Sequence, residues 1–196
     1  MLPLRAQPER LSTFSDGVFA VLITVLVLDL RPPESSTLEA LLALWPTWVS
    51  YSVSYLFIAV VWVNHHHLMR YATEAQARLV WYNFAHLFSV SLLPFATAWM
   101  AISELDPLPV AFYAADFFLV NLTYIFLIRE LIDRRPVEDI PANVRRVMRV
   151  RSIATLCLFA LAAVVALKYP IAGLVICCCC LILYLRPEAP GTQKEK

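Results

Sequence analysis

Residues 10–30 read RLSTFSDGVFAVLITVLVLDL, and from Gly17 to Leu28 no side chain carries a charge. A helix over 13–30 would rise about 27 Å at 1.5 Å per residue, close to the ~30 Å of a bilayer's hydrocarbon core. Arg5 and Arg10 precede the stretch as they would in a secretory leader, but no small-residue cleavage site follows it. The stretch therefore reads as a retained membrane-spanning helix.

The remainder of the chain repeats this pattern. Of 196 residues, 60% are hydrophobic, 16% are charged and only three are glycine, so polar surface is too scarce to cover a water-soluble domain. Apolar segments fall at about 13–30, 38–68, 79–103, 108–128, 151–168 and 170–185, separated by short charged or proline-bearing links. Pro32, Pro33, Pro107, Pro109 and Pro170 lie at those links, where a missing backbone donor costs little. No alternation of period two persists, which argues against strands. The expected fold is an all-α integral membrane protein with six transmembrane helices per chain. These form one domain over 1–186, followed by a disordered cytoplasmic tail at 187–196. The formal net charge of +1 offers no field for nucleic acid.

Orientation follows from the basic residues. With the N-terminus inside and six crossings, Arg31 and Lys168 fall outside and the other fourteen of the sixteen Lys and Arg fall inside. So strong a bias over short loops predicts a multi-pass protein of the cell membrane, both termini cytoplasmic.

The first segment also holds the residues with chemical content. At 100° per residue, Gly17, Val21, Thr24 and Leu28 lie within about 60° of one another, and Asp16 lies roughly 80–140° away with Ser12, Phe19 and Ile23. One face is thus apolar except for a hydroxyl, and a carboxylate stands on its flank. An aspartate at the head of a spanning helix is costly unless paired or watered, which marks it as a site of function or assembly. Periodicity alone leaves a plainer alternative open, in which Thr24 bonds its own backbone and the stripe is ordinary helix packing.

Three motifs carry a resemblance. Arg10, Phe14, Ser15 and Asp16 match R-x-x-x-F-S-D; Trp62, Asn64, His65 and His66 match W-x-N-H-H; Trp81 and Asn83, followed by Leu93, Pro94, Phe95 and Thr97, match W-x-N…L-P-F-x-T. In this order they resemble the first three helices of the transmembrane protein 175 family of potassium channels, in its one-unit prokaryotic form. The resemblance covers about the first hundred residues; the later segments match in length and hydropathy.

The resemblance implies a homotetramer whose first helices line the pore, with potassium as permeant ion and no cofactor. It puts the apolar constriction and the threonine layer on Val21, Thr24 and Leu28, beside Gly17. The signature Arg10, Phe14, Ser15 and Asp16 becomes structural, holding the first helix against the second and third. The expected partners are Asn64, His65, His66, Trp81 and Asn83; for the Asp16 carboxylate the donors are the Trp81 indole, Asn83, His65 or His66. The chain also contains no TVGYG-like loop, which excludes a carbonyl filter of that kind.

Other polar residues support weaker readings. His65, His66 and His67 point in three directions on a helix with no acid one turn away, so no metal site is expected there; sensing of protons is the better reading. Asp116 and Asn121 interrupt the fourth segment, with Asp116 read as shallow, near the outer interface. Together with Asp16 and His65–His67 it defines the alternative function, a proton-coupled carrier. The absence of an internal repeat and of broken-helix pairs weighs against that carrier. Cys157 and the run Cys177–Cys180 read as small packing residues, since adjacent thiols on a helix cannot enclose a metal. Trp45, Trp48, Tyr51, Trp99 and Tyr113 are expected in an outer aromatic belt. No serine–histidine, HExxH or paired-aspartate constellation occurs, so no enzyme is expected.

Overall fold

Prolines set most of the helix starts. Pro8, Pro46, Pro94, Pro107 and Pro170 each stand in the first turn of a helix, where the missing N–H has no intrahelical partner to lose. The structure, a computed structural model, describes residues 8–136 and 140–184; Arg5 and the expected tail at 187–196 lie outside the described residues. The helices are α1 (Pro8–Leu28), α2 (Leu38–Ala43), α3 (Trp45–Met69), α4 (Ala77–Ser91), α5 (Leu93–Ile102), α6 (Pro107–Ile128), α7 (Ala142–Ala166) and α8 (Pro170–Tyr184), with a π-turn at Arg129–Asp133 extending α6.

Three segments differ from the expected spans. The run 38–68 is broken at Leu44, leaving the six-residue α2, which Thr37 caps by accepting the Ala40 N–H at 3.2 Å. The run 79–103 is broken at Leu92, because Pro94 has no N–H to offer the Val90 carbonyl and its ring crowds the preceding turn. The fifth helix begins at Ala142 rather than 151, since arginine is a good helix former and nothing in NVRRVMRVR breaks the helix.

Five stretches are long and apolar enough to cross a membrane: Pro8–Leu28, Trp45–Met69, Ala77–Ile102, Pro107–Asp133 and Ala142–Ala166. The 15 residues of α8 span only about 22 Å. The links sort by end. Arg135 donates to the Tyr71 carbonyl and, at 3.1 Å, to Thr73 Oγ1, so the α3–α4 and α6–α7 links meet. Arg145 secures the second of these by donating to the carbonyls of Asp133, Arg135, Pro136 and Ile140, and Arg149 pairs with Asp133 at 2.9 Å. At the opposite end, Asp29, Arg31, Leu44 and Ile102 line one cavity of about 240 Å³. Alternate crossings require this separation.

The core sits around α6, which packs on α4, α5, α7 and α8. Phe117 stacks on Phe57 with centroids 3.5 Å apart and meets Phe159 edge-on at 5.4 Å. Tyr113, expected in the outer belt, is fully buried one turn from Phe117 on the same face of α6, and its hydroxyl shares a 2.7 Å hydrogen bond with Ser54. Within the cysteine run, Cys177 and Cys180 are buried and Cys179 is exposed, following the helical period.

The α7–α8 hairpin closes on Gly173. A Cβ there would stand 2.6 Å from Ala166 Cβ and 2.8 Å from the Ala162 carbonyl oxygen, both parts of a rigid helix. Gly173→Ala is therefore expected to lower stability by about 1–3 kcal/mol through forced separation of the two helices. Thermal unfolding in detergent checks this, and an unchanged midpoint contradicts the close approach.

Candidate functional site

The first helix is covered on one side only. Leu11, Ser15, Phe19, Leu22 and Leu26 are its buried residues. By the helical period they centre roughly 150° from the line through Gly17, Val21, Thr24 and Leu28. Those four are exposed, Val21 at 58% and Leu28 at 76% of full accessibility, and no atom lies within 4 Å of a Cβ built on Gly17. The Thr24 hydroxyl donates to the Val21 carbonyl at 2.7 Å, leaving its oxygen lone pairs on the open face.

The flank of α1 is tied to α3 and α4 by side-chain hydrogen bonds. Asp16 accepts from the indole Nε1 of Trp62 at 2.8 Å, a donor outside the expected set. Trp81 points elsewhere: it is 73% exposed and its ring neighbours Phe84. Ser15, fully buried, donates to the Leu11 carbonyl at 2.8 Å and accepts from Asn83 Nδ2 at 2.9 Å. The Asn83 amide oxygen meets His65 Nε2 at 2.7 Å; an amide oxygen only accepts, so that nitrogen carries the proton. Phe14 packs edge-on against Phe84 at 5.6 Å, and Arg10 is exposed. Asn64 turns back to its own helix at the Val60 carbonyl, and His66 lies beside Trp62 at 5.6 Å. Of the named partners, Asn83 and His65 thus join Ser15, and neither meets Asp16.

The sequence reading missed a second set of polar residues. The His65 ring stacks parallel to that of His86 at 5.6 Å, and His86 Nδ1 shares a 3.0 Å hydrogen bond with Thr123, which also meets Ser89 at 3.0 Å. Further out, Ser54 bonds both Thr97 and Tyr113 at 2.7 Å. Asp116 is only 4% exposed, inside the bundle rather than at its rim. Polar residues recurring one turn apart, as in Ser50 and Ser54 or His86 and Ser89, were the available signal. Among the described residues no three His, Cys, Asp or Glu side chains converge as metal ligands would.

Comparison with known proteins bears on the same region. The family model described as endosomal/lysosomal potassium channel TMEM175 matches residues 10–94, which hold the first two motifs and the third as far as Pro94. A potassium channel of Chryseobacterium sp. (strain P1-3) is 36% identical over 118 residues, 60% of this chain and 62% of that protein. Over residues 10–94 the chain is similar to the TMEM175 family. A potassium channel of Chamaesiphon minutus is 31% identical over 131 residues, 62% of this chain and 64% of that protein. The proton channel TMEM175 of Gallus gallus is 35% identical over 100 residues, 45% of this chain and 20% of that protein. The matches thus span less than two thirds of these relatives' own length. The solved TMEM175 homologue from Chamaesiphon minutus has the same fold, with a TM-score of 0.80 at 24% identity over 91% of this chain and 96% of that one.

Proposed function

We propose that the chain forms a potassium-preferring cation channel, a homotetramer in which four copies of α1 surround the axis and all six apolar runs, α8 included, cross the membrane with both termini cytoplasmic. One observation carries this reading: the stripe of Gly17, Val21, Thr24 and Leu28 is the uncovered side of a helix whose other side is fixed to the bundle. A spanning helix that is anchored behind and open in front suits a wall of an axial pore. The TMEM175 relationship agrees, since the bacterial relatives above are named as potassium channels. In this arrangement Val21 and Leu28 form apolar rings that conduct only when wide enough to stay wet, and Thr24 forms a ring of hydroxyl oxygens between them. Ser15 and Asp16, with Asn83, His65 and Trp62 behind them, set the rotation of α1 that aims the stripe.

The carrier alternative needs Asp16, Asp116 and the histidines to act on one substrate. Asp16 bonds Trp62, Asp116 lies elsewhere on α6, and His66 and His67 are exposed, so no common pocket supports it. Recording the purified protein in planar bilayers tests the choice. Discrete unitary steps with a reversal potential displaced toward that of potassium are expected. Slow, saturable flux without steps would overturn the channel reading.

A further inference from the structure

The arginines where α6 and α7 meet are used in different ways. Arg145 is occupied by the link carbonyls, Arg134 pairs with Glu130 at 3.1 Å, and Arg149 gives one nitrogen to Asp133 while staying largely exposed. Arg129 and Arg146 are exposed, and neither meets an acceptor among the described residues. These two share a level. The antiparallel register of α6 and α7 is set by Asn121, which donates to Thr155 Oγ1 at 2.8 Å and to the Ser152 carbonyl at 3.2 Å. About eight residues beyond that bond stand Arg129 on one helix and the turn holding Arg146 on the other. They also share a side. Arg146 projects roughly 160° from the buried residues of α7, on a line with the exposed Val150, Leu161 and Val164. On α6, Arg129 turns about 80° from the Asn121 line, toward the exposed face that also bears Phe126. In an antiparallel pair these displacements fall on the same side of the contact. From Val164 to Arg146 the rise is about 27 Å, close to the ~30 Å of a hydrocarbon core. Acyl chains cover such an apolar line, and the guanidinium at its end reaches the headgroup layer.

We propose that the exposed groove between α6 and α7 binds an anionic phospholipid of the leaflet at this end. Arg129 and Arg146 hold its phosphate, with the remaining nitrogens of Arg149 beside them, and Ile125, Val150 and Ile153 carry its acyl chains. A guanidinium suits this task, since its planar, paired N–H donors match two phosphate oxygens. The nearby carboxylates are already engaged, Asp133 by Arg149 and Glu130 by Arg134, so positive charge is in excess along the groove. A zwitterionic phospholipid brings its own ammonium toward these arginines, whereas an anionic one brings only negative charge. The groove is poorly placed for a second copy of the chain. α1 packs on α3, α4 and α5, whereas α7 packs on α6 and α8, which puts the groove away from the open stripe of α1. In the reading above this leaflet is the cytoplasmic one; the binding itself requires only that α6 and α7 cross the membrane.

Native mass spectrometry of the full chain, purified in neutral detergent and titrated with phosphatidylglycerol or phosphatidylcholine, tests this without reading any ion flux. The wild-type protein should retain phosphatidylglycerol at a roughly tenfold lower concentration than phosphatidylcholine. Arg129→Gln combined with Arg146→Gln should remove most of that preference; both side chains are exposed, so the fold should survive. Arg78→Gln, which changes an exposed arginine of α4, should leave the preference within about twofold. Equal retention of the two lipids by the wild-type protein, or an undiminished preference in the double variant, would overturn the proposal. So would an equal loss in Arg78→Gln, because basic charge anywhere at this end would then suffice. Displacement of the lipid by millimolar inorganic phosphate would make the ligand a free anion and equally overturn it. A changed oligomer size in the double variant, with lipid retention intact, would assign the groove to a contact between copies.

Discussion

Under bi-ionic potassium and sodium, Thr24→Val and Thr24→Ala move the reversal potential toward zero, and Val21→Asn and Leu28→Asn raise unitary conductance several-fold. Both expectations follow from the open face of α1. The Thr24 proton is committed to the Val21 carbonyl at 2.7 Å, so the hydroxyl presents oxygen lone pairs and no donor to the proposed pore axis. In the proposed tetramer four such oxygens would replace part of a cation's hydration. Potassium gives up water more readily than sodium, so a weak-field ring of this kind favours it. Valine keeps the shape of threonine and removes the oxygen. Contacts worth ~1 kcal/mol correspond to about a fivefold change in permeability ratio. In the proposed pore the apolar rings would work differently, as a barrier to wetting, and an amide at Val21 or Leu28 would give water a partner there. Unchanged reversal potentials in both Thr24 variants, together with unchanged conductance in both asparagine variants, would remove the stripe from the permeation path.

The second large effect is on assembly. Asn83→Ala should destabilise the protein by about 2–4 kcal/mol and release protomers from the proposed tetramer in detergent. Asn83 is fully buried and serves two partners, so truncation strips a donor from Ser15 and leaves the protonated nitrogen of His65 without an acceptor. The neighbouring bond is weaker by position. Trp62 is 38% exposed, so Asp16→Ala and Trp62→Phe should each cost only ~1 kcal/mol, with ion preference retained. Thermal unfolding and size-exclusion profiles of the three variants measure this ranking. If Asn83→Ala unfolded at the wild-type temperature, the Ser15–Asn83–His65 chain would not be what holds α1. Loss of selectivity in a normally assembled Asp16→Ala protein would move that carboxylate into the pore.

The local features were legible in the sequence because they depend only on local properties. Hydropathy over windows of about twenty residues separates lipid-embedded stretches from links, and the 3.6-residue period puts Gly17, Val21, Thr24 and Leu28 on one line whatever surrounds the helix. The same period explains why Cys177 and Cys180 are covered while Cys179 is not. Helix breaks were less legible. Pro94 could have continued the third run with a kink; instead the run breaks at Leu92, and the separate α5 packs against α3 and α6. Partner choice was not legible at all. Trp62, Trp81, Asn83 and His65 are donors at similar depth, and which one reaches Asp16 depends on the rotation and crossing of α1, α3 and α4. The burial of Tyr113 and Asp116 has the same origin: both look like interfacial residues in a linear count, and both turn inward because α6 is surrounded by five other helices, α3, α4, α5, α7 and α8. The sequence by itself determined which stretches are helical, which are apolar and which residues share a face. Only the tertiary structure decided which faces meet, because contacts between helices far apart in the chain are set by side-chain packing and hydrogen-bond geometry, not by any local period.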